Sequence, residues 1–174
     1  RVMILEVMGR YAGWIALHAG MAGGADVILI PEIPFSMEVI VRKIRDRVER
    51  GKTFSIVVVA EGALPIGGEM TVKRIVEDSP EKIRLGGVGE KLAMEIEKRT
   101  EIESRCTVLG HLQRGGTPTA YDRVLATRYG VAAVDCIMRG EFGRMVALQK
   151  NQITSVPIAD VVGKPHNVPA DDQL

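Results

Sequence analysis

"VMILEVMGRYAGWIALHAGMAGGADVILIPE", Val2 to Glu32, contains the pattern that decides the fold. The apolar run from Val2 to Val7 is typical of a short buried strand, and a Met-Gly-Arg break follows it. Small and apolar residues from Tyr11 to Gly24 then predict a buried helix. The run from Ala25 to Glu32 is apolar up to a proline and predicts a second strand. Strand, helix and strand in this order indicate two parallel strands joined by a crossover helix.

The same alternation continues along the chain. Between the N-cap candidate Ser36 and Gly51, apolar residues recur with helical spacing and predict an amphipathic helix. Further strands are predicted in "FSIVVVAEG", "RCTVLG", "RMVALQ" and "QITSVPI", and further helices around Val88, Leu92, Ala93 and Ile96 and in "TAYDRVLATRYGVAAVDCIMRG". Residues 63–87 lack a clean period and are interpreted as an excursion from the sheet. The predicted fold class is therefore α/β, a Rossmann-like parallel sheet with helices on both faces.

The composition is that of an ordinary globular chain. Of 174 residues, 46% are hydrophobic and 26% are charged, and 23 basic residues nearly balance 22 acidic ones. The net charge of +1 gives no general attraction to nucleic acid or to a membrane surface. Cys106 and Cys136 lack a CxxC spacing, which argues against a disulfide framework and against a structural zinc site. We therefore expect a protein of the reducing cytoplasm, without nucleic-acid or membrane partners.

The two ends of the chain lead to expectations about its length and about the order of its tail. Arg1 runs directly into an apolar strand, with no initiator Met and no polar lead-in, so we expect the chain to be part of something longer. Residues 163–174 contain Pro and polar side chains without a period, and we expect a loose or truncated tail there. Residues 1–162 are then expected to form the folded domain.

Polar residues follow three of the predicted strands, at the end where open α/β sheets bind ligands. Arg10 follows the first strand, Glu61 follows "FSIVVVA", and His111 and Arg114 follow "RCTVL". Taken singly, each has an ordinary structural explanation, because surface arginines pair with acids and most histidines satisfy a backbone carbonyl. Taken together, two guanidinium groups, an imidazole and a carboxylate at one sheet edge predict a site for a small anion with hydroxyls, such as a sugar phosphate.

Other conspicuous residues are interpreted as structural. The glycine pairs in "IGGEMT" (66–71) and "RLGGVGE" (84–90) lack the spacing of a Walker loop or of a dinucleotide fingerprint, so both are predicted to be turns. His18 on the predicted buried helix and His166 in the tail are interpreted as structural or incidental. Asp122 is expected near the positive end of the last long helix.

Three stretches together resemble the phosphofructokinase family. "RCTVLGHLQRGGTPTAYDR" (Arg105 to Arg123) resembles its signature position for position, "EVMGRYAGWIAL" (Glu6 to Leu17) resembles its second substrate motif, and "VVVAEGA" resembles its third. The similarity extends from Arg1 to about Asp160. The resemblance implies the C-terminal, substrate-binding lobe of a glycolytic enzyme that transfers a phosphoryl group from ATP or pyrophosphate to the 1-hydroxyl of fructose 6-phosphate.

The resemblance also implies roles for individual residues. In family members, one subunit contacts the sugar phosphate through the residues that match Met8, Gly9, Arg10, Glu61, His111 and Arg114. The residues that match Arg1 and Arg105 reach the 6-phosphate from a neighbouring subunit, which implies a homo-oligomer, either a dimer or a tetramer. Arg10 matches a catalytic arginine beside the transferred phosphoryl group, where a fixed positive charge stabilises the transition state.

Two departures from the family pattern bear on whether an effector binds and on which phosphoryl donor is used. Bacterial allosteric members bind a nucleoside diphosphate effector at the positions that match Gly24, Asp26, Arg50 and Lys52. Asp26 stands where those enzymes have glutamate, so effector binding is left open. The stretch between Glu61 and Arg105 is longer than in those enzymes and resembles a subgroup that contains both ATP-dependent and pyrophosphate-dependent members.

The family's donor-binding motifs are not found in this sequence. Neither Gly-Gly-Asp followed by a hydroxyl residue nor Thr-x-Asp-x-Asp is present. The resemblance implies that the donor, Mg²⁺ and the general base belong to an N-terminal half, so we expect no metal ligands here and no activity from this chain alone. A non-catalytic sugar-phosphate-binding or regulatory module is the alternative. An oxidoreductase is disfavoured, since no dinucleotide fingerprint follows the first strand.

Overall fold

A computed structural model describes residues 1–75, 77 and 83–173, which belong to two units. One unit contains Arg1–Arg114 with His166–Leu174, and the other contains Gly115–Pro165. The strands are β1 (Val2–Val7), β2 (Val27–Leu29), β3 (Ser55–Ala60), β4 (Val72–Ile75), β5 (Ile83–Leu85), β6 (Ser104–Val108), β7 (Arg144–Gln149) and β8 (Gln152–Pro157). The helices are α1 (Trp14–Ala22), α2 (Met37–Glu49), α3 (Val88–Thr100) and α4 (Ala120–Met138), with short 3₁₀ helices at Gly110–Arg114 and Ile158–Asp160.

The first unit is built on a four-stranded parallel sheet with the strand order β2-β3-β1-β6. Val7 of β1 lies beside Ala60 of β3, and Glu6 lies beside Val108 of β6. The central strands β1 and β3 are nearly continuous apolar runs, as expected of parallel strands that are covered on both faces. The predicted α/β fold with a parallel sheet is confirmed.

Helices cover both faces of this sheet. On one face, Val57 of β3 packs with Ile44 of α2 and Ile96 of α3. On the other face, the next residue, Val58, packs with Ala16 of α1. Successive strand residues point to opposite faces, so one strand contributes to both clusters. Each fully buried Val or Ile side chain contributes about 1.5–3 kcal/mol to folding by leaving water.

Helix α1 differs from the buried helix that its composition predicts. Its buried residues are Ala16 and Gly20, whereas Ile15 is 44% and Met21 is 54% exposed. Small residues face the sheet because the helix lies close to it, and a Cβ on Gly20 would stand 2.7 Å from the Cδ1 of Ile28. An all-apolar stretch does not reveal by composition which of its faces is buried.

Helix α2 begins and ends where the sequence predicts. The hydroxyl of Ser36 accepts a hydrogen bond from the backbone N–H of Val39 at 3.4 Å. Gly51, just past the helix, has a φ of +78°, a left-handed conformation in which glycine has no steric cost.

Residues 63–87 leave the parallel sheet, as predicted. Within them, β4 and β5 form a separate antiparallel pair. Residues 76 and 78–82 of this excursion lie outside the described residues. Of the two predicted glycine turns, the second leads directly into α3, since Gly87 stands at the N-cap of that helix with a φ of +87°.

The last two predicted strands form, but outside the parallel sheet. β7 and β8 are an antiparallel pair in which Gln149 lies opposite Gln152. The residues between them, Lys150 and Asn151, have φ values of +48° and +64°. A two-residue loop with two positive φ angles joins antiparallel strands only, because parallel strands need a long crossover.

Helix α4 packs against β7 and β8 in the second unit. Its N-terminus has a reciprocal cap, in which Thr119 Oγ1 accepts from the Asp122 N–H at 3.2 Å and Asp122 Oδ2 accepts from the Thr119 N–H at 2.8 Å. This confirms that Asp122 lies at the positive end of the helix. Neither α4, with 19 residues, nor another helix in the described part of the chain is long and apolar enough to cross a membrane.

Part of the expected loose tail has definite contacts in the first unit. The backbone carbonyl of His166 accepts a hydrogen bond from Trp14 Nε1 at 2.7 Å. Val168 is 8% exposed, and its N–H donates to Glu32 Oε1 at 2.8 Å. Residues 166–168 are therefore held against the sheet unit, although their composition gave no sign of it.

Candidate functional site

The carboxyl ends of β1, β3 and β6 meet at one edge of the parallel sheet. The Glu61 N–H donates to the carbonyl of Val7 at 2.9 Å, and the Leu109 N–H donates to the carbonyl of Glu6 at 3.0 Å. The residues that follow each strand therefore emerge side by side. This edge brings together the backbones of Met8, Gly9, Arg10, Glu61 and the turn that carries His111 and Arg114.

The loop after β1 presents Arg10, and it is pressed against the turn after β3. The Gly62 N–H donates to the carbonyl of Gly9 at 3.0 Å, and a Cβ on Gly62 would stand 1.8 Å from the carbonyl oxygen of Arg10. Only glycine allows this approach of two backbones. The guanidinium carbon of Arg10 lies 5.7 Å from the ring centre of Tyr11, within the range of a cation–π contact.

The turn after β6 is joined to the same loop by one side chain. Gln113 Oε1 accepts a hydrogen bond from the backbone N–H of Met8 at 2.7 Å. His111 and Arg114 flank Gln113 in the 3₁₀ helix, and both are exposed. Sequence reasoning assigned no role to Gln113, although it stands between two predicted site residues.

A cleft of about 390 Å³ opens beside Arg10. It is lined by Arg10, Tyr11, Leu64, Gly68, Glu69, Met70, Val72 and Leu85. The excursion from the sheet therefore supplies most of its wall. Glu61, His111 and Arg114 share the sheet edge with Arg10 but do not line this cleft.

Arg1 and Arg105 lie at the opposite end of the sheet from Arg10. Arg1 precedes β1, and Arg105 pairs with Met3 near the amino end of that strand. Both guanidinium groups contact one carboxylate, since Glu103 lies 2.9 Å from Arg1 Nε and 2.6 Å from Arg105 Nη2. The hydrogen bond from Arg105, and then the charge of Arg1, lower the pKa of Glu103 below its ordinary value.

Of the four possible effector residues, Asp26 has a clear structural role. Its Oδ1 pairs with Arg47 Nη1 at 2.7 Å, and its Oδ2 accepts from the Ile56 N–H at 2.9 Å. Arg50 caps the C-terminus of α2, and the Lys52 N–H donates to the carbonyl of Arg47. The remaining candidate, Gly24, has a φ of +69° in the turn after α1. Both oxygens of the one carboxylate in this set are thus engaged by the protein itself.

Glu6 is a buried carboxylate that sequence reasoning left without a role. It is 2% exposed, and it accepts hydrogen bonds from the Gly87 N–H at 3.0 Å and from the Gly89 N–H at 2.8 Å. These N–H groups stand at the N-terminus of α3, where a negative charge is favoured. Glu6 therefore fixes α3, and the chain just before it, against β1.

The environment of Glu6 also affects a thiol. Burial, followed by the negative charges of Glu6 and Glu90, raises the pKa of Cys106 to about 11. A thiol with this pKa is almost entirely protonated near neutral pH and is a poor nucleophile. Cys106 and Cys136 are both free cysteines.

Comparison with known proteins agrees with this architecture. The Phosphofructokinase family model matches residues 1–137. ATP-dependent 6-phosphofructokinase 2 of Clostridium perfringens is 54% identical over 177 residues, an alignment that covers 100% of this chain and 48% of that protein. The pyrophosphate–fructose 6-phosphate 1-phosphotransferase of Streptomyces coelicolor is 57% identical over 164 residues, which are 94% of this chain and 48% of that protein.

Solved structures give the same result. Pyrophosphate-dependent phosphofructokinase from Marinobacter aquaeolei superposes with a TM-score of 0.77 at 29% identity, over 97% of this chain and 42% of that one. Pichia pastoris phosphofructokinase superposes with a TM-score of 0.74 at 36% identity, over 92% of this chain and 17% of that one. The chain spans about half the length of the curated relatives it matches. On its fold, its three strand-end motifs and these matches, the chain belongs to the phosphofructokinase family.

Proposed function

We propose that residues 1–162 form the fructose 6-phosphate-binding lobe of a 6-phosphofructokinase. The complete enzyme transfers a phosphoryl group from ATP or pyrophosphate to the 1-hydroxyl of fructose 6-phosphate, a glycolytic step. The observation that carries this proposal is the hydrogen bond from the Met8 N–H to Gln113, because it ties two separate substrate motifs together at one sheet edge. Open α/β sheets bind their ligands at this edge.

Each group at the edge has a chemical part in this function. Arg114 and His111 hold the sugar phosphate, since a guanidinium fork meets two phosphate oxygens and an imidazole N–H adds a third donor. Glu61 accepts hydrogen bonds from sugar hydroxyls, and the backbone at Met8 and Gly9 approaches the sugar closely. Arg10 is the catalytic residue of this lobe, where its charge stabilises the transferred phosphoryl group.

The donor and its metal belong outside this chain in our proposal. Among the described residues, no three His, Cys, Asp or Glu side chains are grouped to hold a metal ion. Relatives of both donor types are similar to this chain, since one is named for ATP and another for pyrophosphate. Either donor is compatible with a lobe that binds the acceptor and meets the donor only at its transferred phosphoryl group.

The positions of Arg1 and Arg105 support the proposal of a homo-oligomer, either a dimer or a tetramer. They lie at the amino end of the sheet, so they cannot join Arg10 and Arg114 at the carboxyl end of the same chain. We propose that they bind the 6-phosphate in the site of a second copy, with Glu103 holding the two guanidinium groups side by side. The free cysteines support a cytoplasmic location.

An effector site at Gly24, Asp26, Arg50 and Lys52 is a weaker proposal. Asp26 is already paired with Arg47, so a diphosphate there would recruit Arg50 and Lys52 while Asp26 keeps its structural contacts. Binding of a nucleoside diphosphate that is lost in a Lys52→Ala variant would support this site.

Calorimetric titration of fructose 6-phosphate into the chain tests the main proposal. Arg114→Ala removes a charge-assisted contact and should weaken binding by more than about tenfold while folding stays intact. Unchanged affinity in that variant would contradict the phosphate assignment. The chain alone should show no turnover with ATP or pyrophosphate.

The second candidate function, a non-catalytic sugar-phosphate-binding or regulatory module, predicts the same binding. The two candidates differ in the longer product of the same gene. Phosphofructokinase activity in that product supports the enzyme, whereas tight binding without turnover supports the module.

A further inference from the structure

Residues 166–168, which we name the strap, contact the loop that presents Arg10. Asn167 Nδ2 donates a hydrogen bond to the backbone carbonyl of Tyr11 at 2.5 Å, and Trp14 Nε1 donates to the carbonyl of His166 at 2.7 Å. The rings of Trp14 and His166 are stacked, with centroids 5.3 Å apart and an interplanar angle of 17°. The strap therefore binds the residues on the C-terminal side of Arg10.

Glu32 joins the strap to the start of α1. Its Oε1 accepts from the Gly13 N–H at 3.0 Å and from the Val168 N–H at 2.8 Å, and its Oε2 lies 3.1 Å from the same Gly13 nitrogen. A carboxylate suits this position because it accepts from several donors and offers none in return. Its charge also lies at the N-terminus of α1, where the helix dipole favours it.

Val168 anchors the strap in the core. It is 8% exposed and belongs to the cluster that contains Val7, Ala16 and Ile30. The strap is thus fixed by an apolar contact as well as by hydrogen bonds. Burial of a Val side chain contributes about 1.5–3 kcal/mol towards ordering this segment.

The loop around Arg10 is consequently held from both sides. On the N-terminal side, the Gly9 carbonyl accepts from the Gly62 N–H at 3.0 Å. On the C-terminal side, the Tyr11 carbonyl accepts from Asn167. Arg10 is the residue between these two fixed carbonyls, so its Cα position depends on both contacts.

We propose that Glu32 is a positioning residue which, through the strap, fixes Arg10 for the sugar phosphate and the transferred phosphoryl group. The inference rests on the proposed function, because it takes Arg10 to be a substrate-contacting residue. Small displacements of such a group cost catalysis and affinity disproportionately, since the productive geometry is narrow.

The test compares Glu32→Gln with Asn167→Ala and with the control Glu49→Gln. Gln at position 32 keeps one acceptor oxygen but removes the negative charge and places an amide N–H₂ beside the Gly13 N–H. Ala at 167 removes one contact and leaves Glu32 in place. Glu49 is an exposed glutamate on α2, so its change to Gln removes the same charge elsewhere.

Two measurements report on the order of the loop without an assay of enzyme activity. Trp14 is the single tryptophan of the chain, so its fluorescence reports release of the strap directly. Amide hydrogen exchange at residues 10–14 reports the loop itself. We expect a red-shifted Trp14 emission and about tenfold faster exchange in Glu32→Gln, smaller changes of the same sign in Asn167→Ala, and neither in Glu49→Gln.

Titration of fructose 6-phosphate completes the test. We expect binding at least about fivefold weaker in Glu32→Gln than in Glu49→Gln, with a global unfolding midpoint that still shows a folded protein. A loosened loop with unchanged sugar-phosphate affinity would overturn the positioning role and leave the proposed function intact. Unchanged fluorescence and exchange in both variants would overturn it as well. If the unaltered chain bound no fructose 6-phosphate, the proposed function would fail first, and the inference with it.

Discussion

The side chain of Gln113 accepts a hydrogen bond from the backbone N–H of Met8 at 2.7 Å, although the two residues are 105 positions apart. This contact holds the turn with His111 and Arg114 against the loop with Arg10. The arrangement explains how two motifs so distant in sequence come to lie together at one sheet edge. Loss of the Gln113 side chain should therefore disturb both the turn with His111 and Arg114 and the loop with Arg10.

Gln113→Ala should weaken fructose 6-phosphate binding and lower the free energy of unfolding by about 1–2 kcal/mol. The Met8 N–H is partly buried and would lose its acceptor. Urea unfolding and calorimetric titration measure the two effects. Gln113→Glu keeps an acceptor oxygen in the same place and should preserve more of the stability. Equal stability of the Ala variant and the unaltered chain would contradict the role given to this bond.

Glu6→Gln should lower the free energy of unfolding by roughly 2 kcal/mol. The buried carboxylate accepts from the Gly87 and Gly89 N–H groups, and bonds to a charged acceptor are stronger than bonds to an amide. Glu90→Gln is the matched control, because Glu90 lies exposed in the first turn of the same helix. Its effect should stay within about 0.5 kcal/mol. Equal effects at the two positions would show that Glu6 adds no more than the general charge at this helix end.

Gly62→Ala should destabilise the chain by about 3 kcal/mol and impair sugar-phosphate binding. Its Cβ would stand 1.8 Å from the Arg10 carbonyl oxygen, so the backbone of the Arg10 loop must move. Gly130→Ala in α4 provides the contrast, since a Cβ there meets nothing within 4 Å. That variant should be neutral or more stable by about 0.5–1 kcal/mol. Chemical denaturation compares the two, and a Gly62→Ala chain as stable as Gly130→Ala would contradict the packing described here.

Cys106 should resist alkylation until the solution is strongly alkaline. Its pKa is raised from an ordinary value of 9.0 to about 11, first by burial and then by Glu6 and Glu90. A raised thiol pKa means that the neutral form is favoured in the folded chain, so this contribution to stability is complete below pH 9.0 and is lost between pH 9.0 and about 11.

The measurement is the rate of iodoacetamide reaction against pH in a Cys136→Ala chain, in which Cys106 is the remaining cysteine. At pH 9 the folded chain should react on the order of 50-fold more slowly than the same chain in urea. A half-maximal rate near pH 9 in the folded chain would contradict the assigned environment.

Most of the first unit could be predicted from the sequence because buried parallel strands consist of continuous apolar runs. β1 and β3 are examples, and the helices between them carry either a helical stripe or small residues. The partner of a strand is harder to predict. β7 and β8 have suitable composition, yet their pairing depends on the positive φ angles at Lys150 and Asn151, neither of which is glycine.

That the residues after β1, β3 and β6 lie at one edge could be predicted, because the carboxyl ends of parallel strands share an edge. The supporting contacts could not, since they join residues that are distant in the chain. Glu32 meets Gly13 and Val168 only after the strap has folded back on the sheet unit. Proline-containing, polar composition at the end of a chain indicates a loose segment, and a single buried Val does not change that pattern.

The most direct test of the central claim is a titration of fructose 6-phosphate into the isotope-labelled chain, followed by backbone amide NMR shifts. We expect saturable shifts concentrated at residues 8–10, 61–62 and 110–114, and much weaker shifts with unphosphorylated fructose. Shifts scattered over unrelated surfaces, or equal responses to the two sugars, would contradict the claim that this sheet edge binds a sugar phosphate.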